Sequence, residues 1–227
     1  TEQKSNDSLD LDAAWSISEA SFAYISQLIT DFNYQRMVEF GSGISTARWL
    51  LAFPELKIIS FEHDRHFFAE TEHRLKKLGF DERSQLFHAP LHRYWFRGRR
   101  FYSYSVPTLP DSYDVVIIDG PPFFTRRGRE ACLYFVYDSL NIGGIVVLDD
   151  ARRGDEQATI ANWLSVYPGS FSHSFVDVGN GLAILKKTKS VEYRTSVHAL
   201  TDFYTLTYRQ TKFFTKVFLK KWWQRLA

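Results

Sequence analysis

Acids and glycines meet at a few tight points of this chain, and those points are where chemistry could be done. Glu39-Phe40-Gly41-Ser42-Gly43 sets a carboxylate two residues ahead of a glycine pair. Glycines at such a turn let the backbone bend sharply and approach a ligand closely. Glu62 follows Gly43 by 19 residues, close to the spacing of about 20 at which an acid reaches ribose hydroxyls in nucleotide-binding folds. Asp119 ends the apolar run Val115–Ile118, and Asp149-Asp150 end the run Ile145–Leu148.

Charge separates the ligands that such a loop can take. Glu39 and Asp119 beside the glycines would oppose the pyrophosphate of a dinucleotide, and Thr46 stands where a dinucleotide fingerprint has its third glycine. S-adenosylmethionine (SAM), with an ammonium and a sulfonium at one end, suits that charge. Ends of neighbouring strands lie about 4.8 Å apart, so Asp119, Asp149 and Asp150 can converge. With waters, three such oxygens would hold Mg²⁺, which would anchor an acceptor hydroxyl and lower its pKa. Alternatively the Asp149-Asp150 pair caps the next turn or pairs with Arg152 or Arg153. Asp150, His88 or Asp119 would then serve as general base.

Nine arginines cluster after three of the strands: Arg93, Arg97, Arg99 and Arg100, then Arg126, Arg127 and Arg129, then Arg152 and Arg153. Ligands of open α/β sheets bind outside the carboxyl ends of the strands. The pattern therefore predicts a positive field there and an anionic acceptor, contacted by Arg126, Arg127, Arg152 and Arg153. A uronic acid, a sugar phosphate, a nucleotide sugar or an acidic glycan would answer. The interleaved Tyr94, Trp95, Phe96, Phe101 and Tyr102 would stack on sugar faces, or on bases, which leaves nucleic acid open as a less favoured partner.

The elements that must position these residues follow from periodicity. Ser18 predicts a helix cap, with Phe22, Ile25, Leu28 and Ile29 at helical spacing as far as Asp31. Strands are predicted over Met37–Phe40, Lys57–Phe61, Ser84–His88, Tyr113–Ile118 and Gly144–Leu148. Helices are predicted over Ser45–Phe53, Arg65–Leu78, Gly128–Leu140 and Glu156–Val166. Gly179-Asn180 joins a final pair, Ser172–Val178 and Gly181–Lys186, as a hairpin. Alternating strands and helices mean an α/β fold: a doubly wound, Rossmann-like, mostly parallel sheet with helices on both faces and a C-terminal antiparallel hairpin strand.

Composition bounds the rest. The 227 residues carry a net charge of +2 and 44% hydrophobic residues, enough for one domain with a sizeable core. Cys132 is the only cysteine, which excludes an internal disulfide and a cysteine-rich metal site. No run approaches the roughly 18 apolar residues of a membrane span; a soluble, cytoplasmic protein is expected. Residues 1–17 read as a flexible lead-in and 18–187 as the folded domain. Residues 188–227 form a basic aromatic extension. Within it, Phe214, Val217, Phe218 and Trp222 recur at helical spacing over 201–227 beside Lys212, Lys216, Lys220 and Lys221. Such a helix packs on the domain or a second subunit, or lies on an anionic membrane.

Five motifs taken together resemble one family. They are Val38–Gly43, Phe61-Glu62-His63-Asp64, His88-Ala89-Pro90-Leu91, Asp114–Pro122 and Leu148–Arg152. In order and spacing they are similar to the strand-end motifs of class I SAM-dependent methyltransferases. The Asp-Gly-Pro step with a later Gly-Arg is also similar to sugar-directed O-methyltransferases. The resemblance implies Glu39, Gly41, Ser42 and Gly43 around the methionine part of SAM and Glu62 on the ribose. It implies His63 beside the adenosine, His88 and Ala89 near the adenine, and Asp119 facing sulfonium and acceptor. The expected activity is methyl transfer to oxygen of an anionic or sugar-like acceptor. An NAD(P)-dependent oxidoreductase and a non-catalytic interaction module are the alternatives.

Overall fold

The computed structural model describes residues 17–96, 99–109, 112–125 and 127–194. Residues 1–16 of the lead-in, Arg97, Arg126 and the helix expected over 201–227 lie outside the described residues. In chain order the elements are α1 (Glu19–Phe32), β1 (Arg36–Phe40), α2 (Ile44–Ala52), β2 (Lys57–Glu62), α3 (Arg65–Lys77) and β3 (Ser84–His88). Then come β4 (Leu91–Phe96), β5 (Arg99–Tyr104), β6 (Tyr113–Ile118), α4 (Gly128–Val136) and β7 (Leu140–Leu148). The chain continues through α5 (Gly154–Val166), β8 (Phe171–Val176) and β9 (Leu182–Lys187).

The main sheet has seven strands in the order β3-β2-β1-β6-β7-β9-β8. The first five are parallel, and β9 and β8 run antiparallel. Side chains alternate between faces along each strand. Val38, Phe40, Val116, Ile118, Val146 and Leu148 pack with α4 and α5, while Met37, Val115, Ile117, Ile145 and Val147 pack with α1, α2 and α3. Both faces are covered, so the strands are apolar throughout. Each buried Val, Leu or Ile contributes about 1.5–3 kcal/mol.

Local chemistry fixes the element ends. Ser18 Oγ accepts from the Ser21 amide at 3.1 Å and caps α1. Asp64 Oδ1 accepts from His66 and Phe67 amides and caps α3. The expected fourth helix stops short, at Val136 rather than Leu140. Lys187 explains the stop: its buried Nζ donates to the carbonyls of Tyr137 and Leu140, both at 2.7 Å. An ammonium at a helix C-terminus satisfies orphan carbonyls and opposes the dipole.

Two features extend the expected architecture. β4 and β5 form a separate two-stranded antiparallel sheet, which rests on α4 through Ser103 Oγ donating to the Gly128 carbonyl at 2.7 Å. The packed domain also runs past 187. Val191 and Tyr193 lie against the core, and the Arg194 amide donates to the Val166 carbonyl at 2.9 Å. At the other end, Ile17 is buried in the α1 face. No helix among the described residues is long and apolar enough to cross a membrane.

Candidate active site

The strand order reverses between β1 and β6, and the crevice at such a switch point is where open α/β sheets bind ligands. The loops leaving these two strands are pressed together. The amides of Asp119 and Gly120 donate to the Phe40 carbonyl at 3.1 and 2.8 Å, and the Gly41 amide donates to Phe61 O at 3.0 Å. Gly41 has φ +98°, and a Cβ there would stand 3.0 Å from the Gly120 nitrogen. Only glycine meets both demands.

Glu39 lies under this loop, fully buried. Three hydroxyls donate to it: Ser45 at 2.7 Å, Thr46 at 2.5 Å and Ser60 at 2.9 Å. Burial pushes its carboxyl pKa up, and those bonds oppose the shift. Thr46 Oγ1 also accepts from the Gly43 amide at 3.1 Å. The residue in place of the third fingerprint glycine therefore ties the loop to Glu39. Glu39 is a brace of the loop in this structure, with both carboxylate oxygens engaged. Ser42 Oγ is buried with no hydrogen-bond partner.

On the β2 side, Glu62 Oε1 accepts from the Asp64 amide at 2.7 Å and lies 2.9 Å from His63 Nδ1. Ala89 is buried, with its amide on the Glu62 carbonyl at 2.6 Å. His88 pairs with Glu62 in the register of β2 and β3 and packs its ring near Phe68. Three strand spacings, roughly 14 Å, separate β3 from β6. The structure thus keeps His88 with Glu62, His63 and Ala89, and does not bring it to Asp119 or Asp150 as a shared base.

On the β6–β7 side the expected convergence is seen. Asp119, Asp149 and Asp150 each offer an oxygen, all within 4.8 Å of one another. A guanidinium already stands among them. Arg129, from the first turn of α4, places Nη1 at 3.1 Å from Asp150 Oδ2 and 3.6 Å from Glu156 Oε1. Its Nη2 is 3.6 Å from Asp119 Oδ1. The same group donates to the carbonyls of Pro121 at 3.2 Å, Asp149 at 3.1 Å and Asp119 at 2.5 Å. Arg153 Nη1 adds a 2.6 Å contact to the same Asp150 Oδ2. The spacing of the acids suits a metal ion, and two guanidinium groups, of Arg129 and Arg153, also supply positive charge to them. Asp149 Oδ1 and Glu156 Oε2 are buried without a hydrogen-bond partner.

Burial raises the pKa of Asp119, to about 7, with Arg129 pulling it down and Asp149 and Asp150 pushing it up. Asp149 and Glu156 are raised by burial as well. Burial works against the charge on Arg129, and its carboxylate neighbours more than restore it. The Asp119 side chain is 22% exposed against 7% for Asp150. It is the more open of these two acids. Asp150 sits at φ +59° and Arg127 at φ +51°, left-handed conformations that are uncommon outside glycine and costly at bulky residues.

The expected positive rim differs from what is found. Arg99 and Arg127 face the buried Glu130 at 2.8 and 3.7 Å. Arg152 pairs with Asp177 and donates to the Gly179 carbonyl at 2.5 Å, bracing the β8–β9 turn. Arg153 and Arg129 are spent on acids, as above. Arg100 stacks 5.4 Å over Trp95, which is 72% exposed. Carboxylates cancel the charge, one turn away for Arg127 and Arg153 and far off in sequence for Arg99, Arg129 and Arg152.

Two contributors escaped the sequence reading. Arg129 appeared only as one basic residue among nine. Tyr104, at the end of the unpredicted β5, is fully buried with its Oη unpartnered, and a Cβ on Gly120 would lie 2.0 Å from that oxygen. A usable signal was present: Leu91–Phe96 and Arg99–Tyr104 flank Gly98 and are rich in aromatics, a hairpin pattern.

A family model described as a methyltransferase domain matches residues 38–151. The chain belongs to that family, the SAM-dependent methyltransferases of class I. A search of curated protein sequences finds no match. Among solved structures, the chain is similar to the SAH-bound methyltransferase PaMTH1 of Podospora anserina: TM-score 0.62, 17% identity, 78% of this chain and 82% of that one covered. It is also similar to the O-methyltransferase TomG of Streptomyces achromogenes in complex with SAM: TM-score 0.57, 15% identity, 77% and 82% covered. A third is the O-methyltransferase from Bacillus cereus in complex with SAH: TM-score 0.56, 12% identity, 77% and 84% covered. The fold is theirs. The membership decides between SAM and a dinucleotide for this edge, as the acids beside Gly41 had suggested.

Proposed function

We propose that this methyltransferase moves the methyl group of SAM to an oxygen of an anionic, sugar-like acceptor. The observation that carries the reading is Asp119: a partly exposed carboxyl at the switch point, beside Gly41, with its pKa raised by burial toward neutrality. A general base works best with a pKa near the working pH.

When bound, SAM supplies an electrophilic methyl on a sulfonium. Glu62, already oriented by the Asp64 amide, would bind its ribose hydroxyls, and the Gly41 turn would admit its methionine part. Asp119 opposes the positive sulfur and stands where an acceptor hydroxyl would arrive. The acceptor oxygen bonds to the methyl carbon as the carbon–sulfur bond breaks. The hydroxyl proton passes to an Asp119 oxygen, and the sulfur keeps the electron pair. Positioning in line supplies most of the acceleration.

The acceptor class rests on exposed aromatics of the β4–β5 hairpin and of the loop after β6. Trp95 with Arg100 stacked on it offers an apolar face beside a cation, and Phe123 and Phe124 stand exposed after β6. Aromatic faces suit sugar rings, and a guanidinium suits a carboxylate or phosphate. Methyl transfer from labelled SAM, run across uronic acids, sugar phosphates and their neutral counterparts, tests the reading. Transfer to the anionic members is expected, and in D119N it is lost even at SAM concentrations that saturate the variant. A preference for neutral sugars would end the acceptor proposal; transfer to nitrogen or carbon would end the oxygen proposal.

A further inference from the structure

We propose that Arg129 is the resident cation of the strand-end carboxylates, and that this site works without a divalent metal. The proposal rests on reading this edge as the transfer site, but its test needs no transfer.

Three facts carry it. The guanidinium lies 3.1, 3.6 and 3.6 Å from oxygens of Asp150, Asp119 and Glu156. It also donates to three main-chain carbonyls, those of Asp119, Pro121 and Asp149. A planar guanidinium is suited to bridging several oxygens at once, and it stays charged at any working pH. Finally, Asp150 Oδ2 has two guanidinium partners, since Arg153 reaches it at 2.6 Å. An ion bound to that oxygen at about 2.1 Å would have to displace one or stand against both.

The placement assigns a role. An ion held by Asp119, Asp149 and Asp150 would link the ends of β6 and β7 and offset their charge. Arg129 does both from α4, through the carbonyls of Asp119 and Asp149 and through the carboxylates. It leaves the Asp119 carboxylate with an ionic contact at 3.6 Å, longer than a hydrogen bond. That carboxylate is therefore held in place with its hydrogen-bonding capacity left for a ligand. Arg129 is a positioning residue in this scheme.

Mn²⁺ is the probe, read by its electron paramagnetic resonance in full-length protein, with SAM affinity measured on the same samples by calorimetry. Wild type is expected to leave Mn²⁺ free up to about 1 mM, the range of weak carboxylate sites. R129A, which vacates the space among four acids, is expected to bind Mn²⁺ at least about tenfold more tightly than wild type, and R129K to bind none. Saturable Mn²⁺ binding by wild type, abolished in D149N, would overturn the proposal. So would a folded R129A without Mn²⁺ affinity. If R129A does not fold, the wild-type and D149N titrations decide. Failure of wild type to bind SAM would sink the function reading and leave the Mn²⁺ result standing.

Discussion

Two regions of the same edge bury acids in opposite ways. Under the glycine loop, Glu39 is held by three neutral hydroxyls, from Ser45, Thr46 and Ser60. One strand over, Asp119, Asp149 and Asp150 are gathered around the cation of Arg129. Hydroxyls compensate a carboxyl without adding charge, and they do so for either protonation state. That suits a brace. A guanidinium favours the ionised form and leaves a net field, which suits the proposed place where charge arrives and a proton departs. On the proposed function, the difference separates scaffold from chemistry more sharply than burial does, since Glu39, Asp149 and Asp150 are all buried.

The comparison breaks most visibly at Arg129. R129A leaves several buried acids uncompensated and is expected to cost about 3–5 kcal/mol, read as a lower denaturant midpoint. A loss under 1 kcal/mol would show the acids to be independent of it. Next is the contact between the regions. G120A drives a Cβ to 2.0 Å from Tyr104 Oη, an overpacking of about 1–3 kcal/mol, and SAM affinity is expected to fall with it. The double variant G120A/Y104F removes the clashing oxygen and should recover part of both.

On the hydroxyl side, E39A orphans three buried hydroxyls, for about 1–3 kcal/mol, whereas E39Q should stay within about 1 kcal/mol. The pH sign follows from burial. The folded pKa of Glu39 is raised, so the native state holds the proton more tightly than the unfolded chain. Its contribution is fully present below the unfolded value of about 4.3 and declines as pH rises through the folded one. E39Q should flatten that slope in a series of melts, and an unchanged slope would mean that Glu39 does not titrate there.

On the guanidinium side, burial pushes the Asp119 carboxyl up to about 7, and a sulfonium prefers it ionised. SAM affinity should therefore rise with pH, by up to about tenfold per unit below the pKa, while SAH affinity, with a neutral sulfur, stays flat. Parallel curves for the two ligands would remove Asp119 from the sulfonium. The smallest effect belongs to the periphery. R152A loses an exposed pair with Asp177 and should cost less than about 1 kcal/mol.

Local rules carried much of this structure. Strand ends, the Ser18 cap and the glycine turn follow from short-range chemistry, and parallel order follows from alternation. The neighbouring placement of Asp119 and Asp149-Asp150 then came from topology alone. What was not legible depends on pairings across long loops. Nothing near Arg129 in sequence says that it will turn inward onto β6 and β7 while Arg127 and Arg99 turn to Glu130. His88 is a candidate base by residue type, but the strand order sets three spacings between it and Asp119. The β4–β5 hairpin is hard to see in sequence because arginines and aromatics fill both faces of its strands, so polar and apolar positions do not alternate cleanly.

That hairpin has an evolutionary consequence. It shares no strand pairing with the seven-stranded sheet among the described residues, and Trp95 and Arg100 lie on its outer side while Phe101 and Ser103 anchor it inward. Outward positions can be exchanged without re-cutting the core or the cofactor turn. If the hairpin meets the acceptor as proposed, a lineage built on this chain can change what it recognises while its donor chemistry is inherited intact.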